Sequence, residues 1–176
     1  MSWLNSRKNI LDGDHGKLSQ IDNTGKQLYY LREDDKPAYI NAFMFGTSST
    51  TIIGTQSEFV KLEAVTTEGF SRNGLVHTSN RITNSGISKV FKGEAILSIS
   101  SGNNNEIHLA FYKNGSTKIP CSEQEVITSS GGRLNAIPIQ CLIELNTNDY
   151  VEIWVMNDSG TTDVVCDNYN FILKEM

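Results

Sequence analysis

The side chains able to do chemistry are few and scattered. Asp12, Asp14 and His15 fall within DGDHG (12–16), and two carboxylates with an imidazole are suitable metal ligands. A calcium loop needs more carboxylates and a distal Glu, which are missing, so this segment reads as a solvated turn. His77 and His108 lie far apart, each in a strand-like run, and packing rather than ligation is expected of both. Glu123/Glu125 and Asp149/Glu152 pair carboxylates as a glycosidase would, but they are expected in loops or on solvent faces. GxSxG, HExxH, a P-loop and GxGxxG are all lacking. Cys121, Cys141 and Cys166 form no CxxC, and their odd number argues against a disulfide framework. Cys141 in IPIQCLIEL and Cys166 in VVCDNYNF read as small buried hydrophobes in a chain made in a reducing cytoplasm. No base stands near to activate a thiol. The expectation is therefore no enzyme, no cofactor and no metal.

The elements that would position these residues read as strands. Hydrophobic residues are 38% and charged residues 20% of 176, enough for one packed domain. Ser, Thr, Asn and Gly make up roughly a third of the chain with little Pro, a strand-and-turn composition rather than a disordered one. A net charge of −5 without a Lys/Arg cluster disfavours nucleic acid. No apolar run is long enough to insert in a membrane, and the N-terminus lacks the apolar stretch of a secretory signal.

Residues 1–45 read as an arm. They hold six basic and six acidic residues, so the acidic excess lies downstream. Apolar residues there are sparse and turn signals frequent, and such a segment buries too little to fold alone. Residues 46–56 read as a linker and 57–176 as the head domain. In the head, EFVKLEAVT, KVFKGEAILSIS, EIHLAFY and YVEIWVM alternate, and Phe91, Ala95, Leu97 and Ile99 share one face. Asn114-Gly115 is a hairpin signal. No window shows a sustained 3.6 period. Seven to nine short strands predict an all-β antiparallel sandwich or jelly roll. Tyr112 and Trp154 lie on the less apolar faces of their strands. Large aromatics there mark either an interface or a strand buried on both faces.

Three features occur in order: the KVFKGEAILSIS strand; HLAFYKNG (108–115), a strand ending in a hairpin; and IQCLIELNTNDYVEIWVMND, two long strands about an acidic turn, closed by NYNFILKE. Over roughly residues 56–176 this resembles the jelly-roll heads of the complement-globular-head and tumour-necrosis-factor-like superfamily. More closely it is similar to the fibre, decoration and receptor-binding proteins of tailed bacteriophages that use that head. The acidic turn is usually Gly-Asp in those heads and is Asn148-Asp149 here. The resemblance implies a ten-stranded antiparallel jelly roll assembled as a homotrimer, one sheet of each subunit facing the axis. It makes Tyr112, Tyr150, Trp154 and Phe171 trimer-interface or inter-sheet core residues. It makes residues 1–45 an attachment arm, with Trp3, Leu4, Ile10, Leu11, Tyr29 and Tyr30 as anchors.

The expected function is that of a virion structural protein: a trimeric fibre, spike or decoration protein made in the host cytoplasm. Its expected partners are itself, a capsid or tail protein, and a host cell-surface saccharide. Loops 71–86, 101–105, 113–118 and 128–135, with Asn103, Asn104, Asn105 and Asn114, are the expected recognition surface. The rival readings are a monomeric carbohydrate-binding β-sandwich module and an esterase or glycosidase on the same scaffold.

Overall fold

A computed structural model describes residues 36–176 in full, and before them only the backbone pairing of three short strands. These are β1 (Ile10–Leu11), β2 (Leu18–Ile21) and β3 (Gln27–Tyr29), an antiparallel sheet in the order β1-β2-β3. They belong to a unit spanning Met1–Lys36. The second unit is Pro37–Met176.

The second unit is a sandwich of two antiparallel sheets, and the described residues contain no α-helix. The first sheet runs β14 (Asn135–Leu145), β10 (Lys89–Ser100), β16 (Val164–Glu175), β4 (Tyr39–Met44), β7 (Thr67–Arg72), with β5 (Ser49–Thr51) added on β16. The second runs β12 (Thr117–Lys118), β11 (Glu106–Lys113), β15 (Tyr150–Asn157), β9 (Arg81–Asn84), β8 (Leu75–Thr78). There β13 (Gln124–Ile127) pairs with β11, and β6 (Val60–Lys61) with β15.

Period-2 alternation builds the core. Phe91, Ala95, Leu97 and Ile99 of β10 turn inward, as their spacing predicts. Ile107, Leu109 and Phe111 meet them from β11, and Val151, Ile153 and Val155 from β15. Phe111 stacks on Phe171 at 5.1 Å between centroids. Gly93 occupies the inward position between Phe91 and Ala95, and the Phe111 ring fills the space a side chain would take. Asn114 and Gly115 both have positive φ (54° and 67°) and, with Ser116, turn β11 into β12, so that Lys113 pairs with Thr117.

Three expectations are corrected. The arm does not extend to residue 45, and 46–56 is not a free linker. Strand β4 lies inside the first sheet between β16 and β7, with Ala38, Ile40, Ala42 and Met44 in the core, and β5 continues the pairing. Outward Tyr39 and Phe43 leave Asn41 as the one polar residue of YINAFMF, which hides its alternation. Second, Cys121 and Cys141 are not free thiols: they form a disulfide, Cα–Cα 5.9 Å, and only Cys166 is free among the cysteines. Cys121 is in the 3-10 turn Pro120–Ser122 beside the second sheet, and Cys141 points inward from β14 at the edge of the first. Third, Glu152 is not on a solvent face. Its carboxylate is buried and paired with Lys61 at 2.7 Å.

Candidate functional site

The residues expected at an interface separate into two environments. Phe171 points between the sheets and is fully buried, so it belongs to the core. Tyr112, Tyr150 and Trp154 point out of the second sheet. Trp154 stacks on Tyr112 at 4.4 Å with an interplanar angle of 13°, and Phe59 closes over Tyr112 at 5.5 Å. The Trp154 indole N–H donates to Glu152, whose other oxygen holds Lys61. Arg81 lies over the Tyr150 ring at 4.7 Å and Lys118 over Phe59 at 5.0 Å. Tyr112 is therefore 9% exposed, and burial raises its phenol pKa. The aromatics that the sequence leaves unexplained are covered by neighbours from β6 and the β12–β13 region, which alternation along one strand does not reveal.

The expected recognition loops are mostly fastened. Asn114 donates from its amide to Asp149 Oδ1 at 2.8 Å and accepts the Tyr150 N–H at 3.0 Å, which ties the β11–β12 hairpin to the β14–β15 turn. Lys113 reaches Asp149 at 2.7 Å, and that contact is the main reason its carboxyl pKa falls to about 2. Asn104 has positive φ and its N–H donates to the Thr128 carbonyl. Asn105 donates to Ser101. Asn103 is exposed. The structure gathers Asn103, Asn104 and Asn105 in one turn, while Asn114 lies in the separate β11–β12 hairpin and has a positional role. Among the anchors, Ile10, Leu11 and Tyr29 lie in the three short strands, whereas Trp3, Leu4 and Tyr30 lie outside the described residues, as does DGDHG.

The outer face of the first sheet differs from that of the second. Ile96 of β10, Leu142 of β14, Ile172 of β16 and Phe43 of β4 point outward, between 36% and 58% exposed. Register places Ile96 between Pro138 and Asn170, and Asn170 beside Phe43. Leu142 lies across from Lys92. A shallow groove lined by Glu94, Ile96, Pro138, Gln140, Asn170 and Ile172 crosses this face. Phe70 of β7 is 78% exposed beside Tyr39 and Ile172. The polar residues between are partly self-neutralised, as in the Lys92–Glu94 pair at 2.6 Å. This surface is apolar enough to bind another protein surface.

Among the histidines, His77 Nε2 meets Thr66 Oγ1 at 2.7 Å, and burial lowers its pKa. His108 sits between Glu106 and Glu123, at 3.2 Å from each. Cys166 is buried, and burial pushes its thiol pKa up to about 12, far from a thiolate nucleophile.

No family model matches the sequence, and no curated protein is detectably similar to it. Solved structures do match. Murine APRIL at pH 5.0 superposes with a TM-score of 0.52 at 7% identity, over 78% of this chain and 98% of its own. The Eiger tumour necrosis factor of S. frugiperda gives 0.52 at 9% identity, over 78% and 92%. The fold is a tumour-necrosis-factor-like jelly roll. PRD1 vertex protein P5 is similar with a TM-score of 0.49 at 14% identity, over 79% of this chain and 96% of that one. Identities this low establish the architecture of the jelly roll and no more.

Proposed function

We propose that this jelly roll is a self-assembling virion protein of a tailed bacteriophage: a trimeric fibre, spike or decoration protein that acts by binding, not catalysis. The observation that carries self-assembly is the outer face of the first sheet, where Phe43, Ile96, Leu142 and Ile172 are left to solvent. At the centre of the second sheet the outer face is covered by its own aromatic and ionic contacts, and the exposed apolar residues there, Val76 and Ile127, lie on its outer strands β8 and β13. Burying the exposed face against two further copies removes apolar area from water. The order of motifs over 56–176 supports the phage assignment, and the neutral, turn-rich segment before Pro37 supports attachment to a capsid or tail protein. Three such segments on one trimer convert weak contacts into avidity. The head then presents the 101–105 turn to a host saccharide or to the neighbouring shell.

Light scattering on a size-exclusion column tests the reading. A mass of about 58 kDa, three times the chain's 19.5 kDa, is expected for the full chain and a proportionate trimer for residues 37–176. A monomer in both overturns the trimer and favours the carbohydrate-binding module.

A further inference from the structure

We propose that Glu106, His108 and Asp158 form a binding site for a borderline divalent cation of the zinc class, with Glu123 orienting the imidazole. Glu106 and His108 are two apart on β11 and so project from the same face of the second sheet. Asp158 follows β15, fifty residues on. The ladder brings it in: Ile107 pairs with Asn157, and the Asp158 N–H donates to the Glu106 carbonyl at 2.8 Å. One ligand atom from each of the three residues lies within 4.8 Å of the others. His108 Nε2 is 3.2 Å from Glu106 Oε1. Metal–ligand bonds of about 2.0–2.1 Å in a tetrahedral site place neighbouring ligands about 3.3 Å apart, so this edge is already at length.

The imidazole supplies the argument that a group of carboxylates lacks. Its Nδ1 faces Glu123 Oε1 at 3.2 Å, and Glu123 is held by Lys118 at 2.8 Å. Glu123 is thus placed to accept the Nδ1 proton, which leaves Nε2, 3.2 Å from Glu106 Oε1, as the ring nitrogen turned toward the two carboxylates. Carboxylate–imidazole–metal is the arrangement by which protein sites fix the ligating tautomer. Among the described residues no Lys or Arg neutralises Glu106 or Asp158. The surroundings are also fixed. The Asn157 side chain is buried, accepts the Ser159 N–H and donates to the Thr162 carbonyl, and Ser159 Oγ accepts the Glu106 N–H. One nitrogen and two oxygens favour zinc-class ions over calcium or magnesium, which prefer all-oxygen shells. The remaining positions are open to water or to a ligand from a neighbouring surface.

The test uses the full chain, stripped with chelator and dialysed to pH 7.5. Zn²⁺ is titrated calorimetrically, and Co²⁺ is added for its visible spectrum. One ion per chain and a Co²⁺ spectrum of mixed nitrogen and oxygen donors are expected. Asp158→Asn and His108→Gln should each weaken Zn²⁺ at least tenfold, and Glu123→Gln about 10–100-fold through loss of orientation. Asp158→Asn, whose side chain has no hydrogen bond among the described residues, should keep the metal-free melting temperature. His15→Gln and His77→Gln should bind as the parent does. Binding that persists in both His108→Gln and Asp158→Asn, or that is lost in His15→Gln or His77→Gln, overturns the assignment. So does a parent chain that takes up no Zn²⁺.

Discussion

Cys121 and Cys141 bond across the open edge of the sandwich, linking the turn beside β13 to the outermost strand of the other sheet. The bridge closes a loop with a sequence separation of 20. Such a loop restricts the unfolded chain by about 3 kcal/mol. Cys121→Ser, or reduction of the parent, should therefore lower unfolding free energy by about 3 kcal/mol in urea titrations. Adding reductant to the Cys121→Ser variant should change nothing further, because Cys166 is buried and already a thiol. Equal stability with and without reductant would remove the disulfide from the fold's support.

Asp149 is the carboxylate on which two turns depend. Lys113 and Asn114 hold its oxygens, and it also accepts the Asn146 N–H at 2.8 Å. Its pKa falls from an ordinary 3.8 to about 2 in the folded chain. A depressed carboxyl pKa adds stability above the unfolded value, and that increment disappears as pH falls through the folded value. The parent should thus lose this contribution between about pH 4 and pH 2, and Asp149→Asn should lack it throughout. Denaturant titrations across that window should show the two curves converge toward pH 2. A constant gap would place the contribution elsewhere.

The long strands were legible because one face of each is almost wholly apolar and the other is interrupted by polar residues, as Lys92, Glu94 and Ser98 interrupt Val90 and Ile96 in Lys89–Ser100. The Asn114-Gly115 turn was legible because few residue pairs accept positive φ at both positions. Strand β4 was not, since Tyr39 and Phe43 on its outer side blur the period. Nor were the contacts that depend on register. Cys121 meets Cys141, and Asp158 meets Glu106, only after the sheets have paired. The cover over Tyr112 comes from Phe59, which no pattern within EIHLAFY indicates. Periodicity reports which face a residue takes, not which distant element lies on that face.

Gly93 leaves little room for a side chain in the core. A Cβ there would stand 2.9 Å from Ile143 Cδ1 and 3.1 Å from Phe111 Cε2. Phe111 cannot retreat freely, because it stacks on Phe171, itself fully buried. Gly93→Ala should cost about 1–3 kcal/mol of stability by overpacking. The strand conformation itself favours Ala over Gly, so the sign tests packing directly. A stabilised Gly93→Ala variant in urea titrations would show that the Phe111 ring yields.

Ile96 and Leu142 distinguish the two faces of the molecule as assembly surfaces. They are 57% and 58% exposed on the first sheet, so a glutamate at either position meets water in an isolated subunit and leaves the core untouched. In an assembly that buries this face, each charge would be desolvated without a partner, a large cost repeated at every copy. Ile96→Glu and Leu142→Glu should therefore shift the light-scattering mass from about 58 kDa to the 19.5 kDa of one chain, with the β-sheet circular dichroism spectrum unchanged. Val76 of β8 is 46% exposed on the second sheet and supplies the control. Val76→Glu should keep the parent mass. If Val76→Glu dissociates the assembly and Ile96→Glu does not, the subunits meet through the second sheet, and the apolar surface of the first is left for another partner.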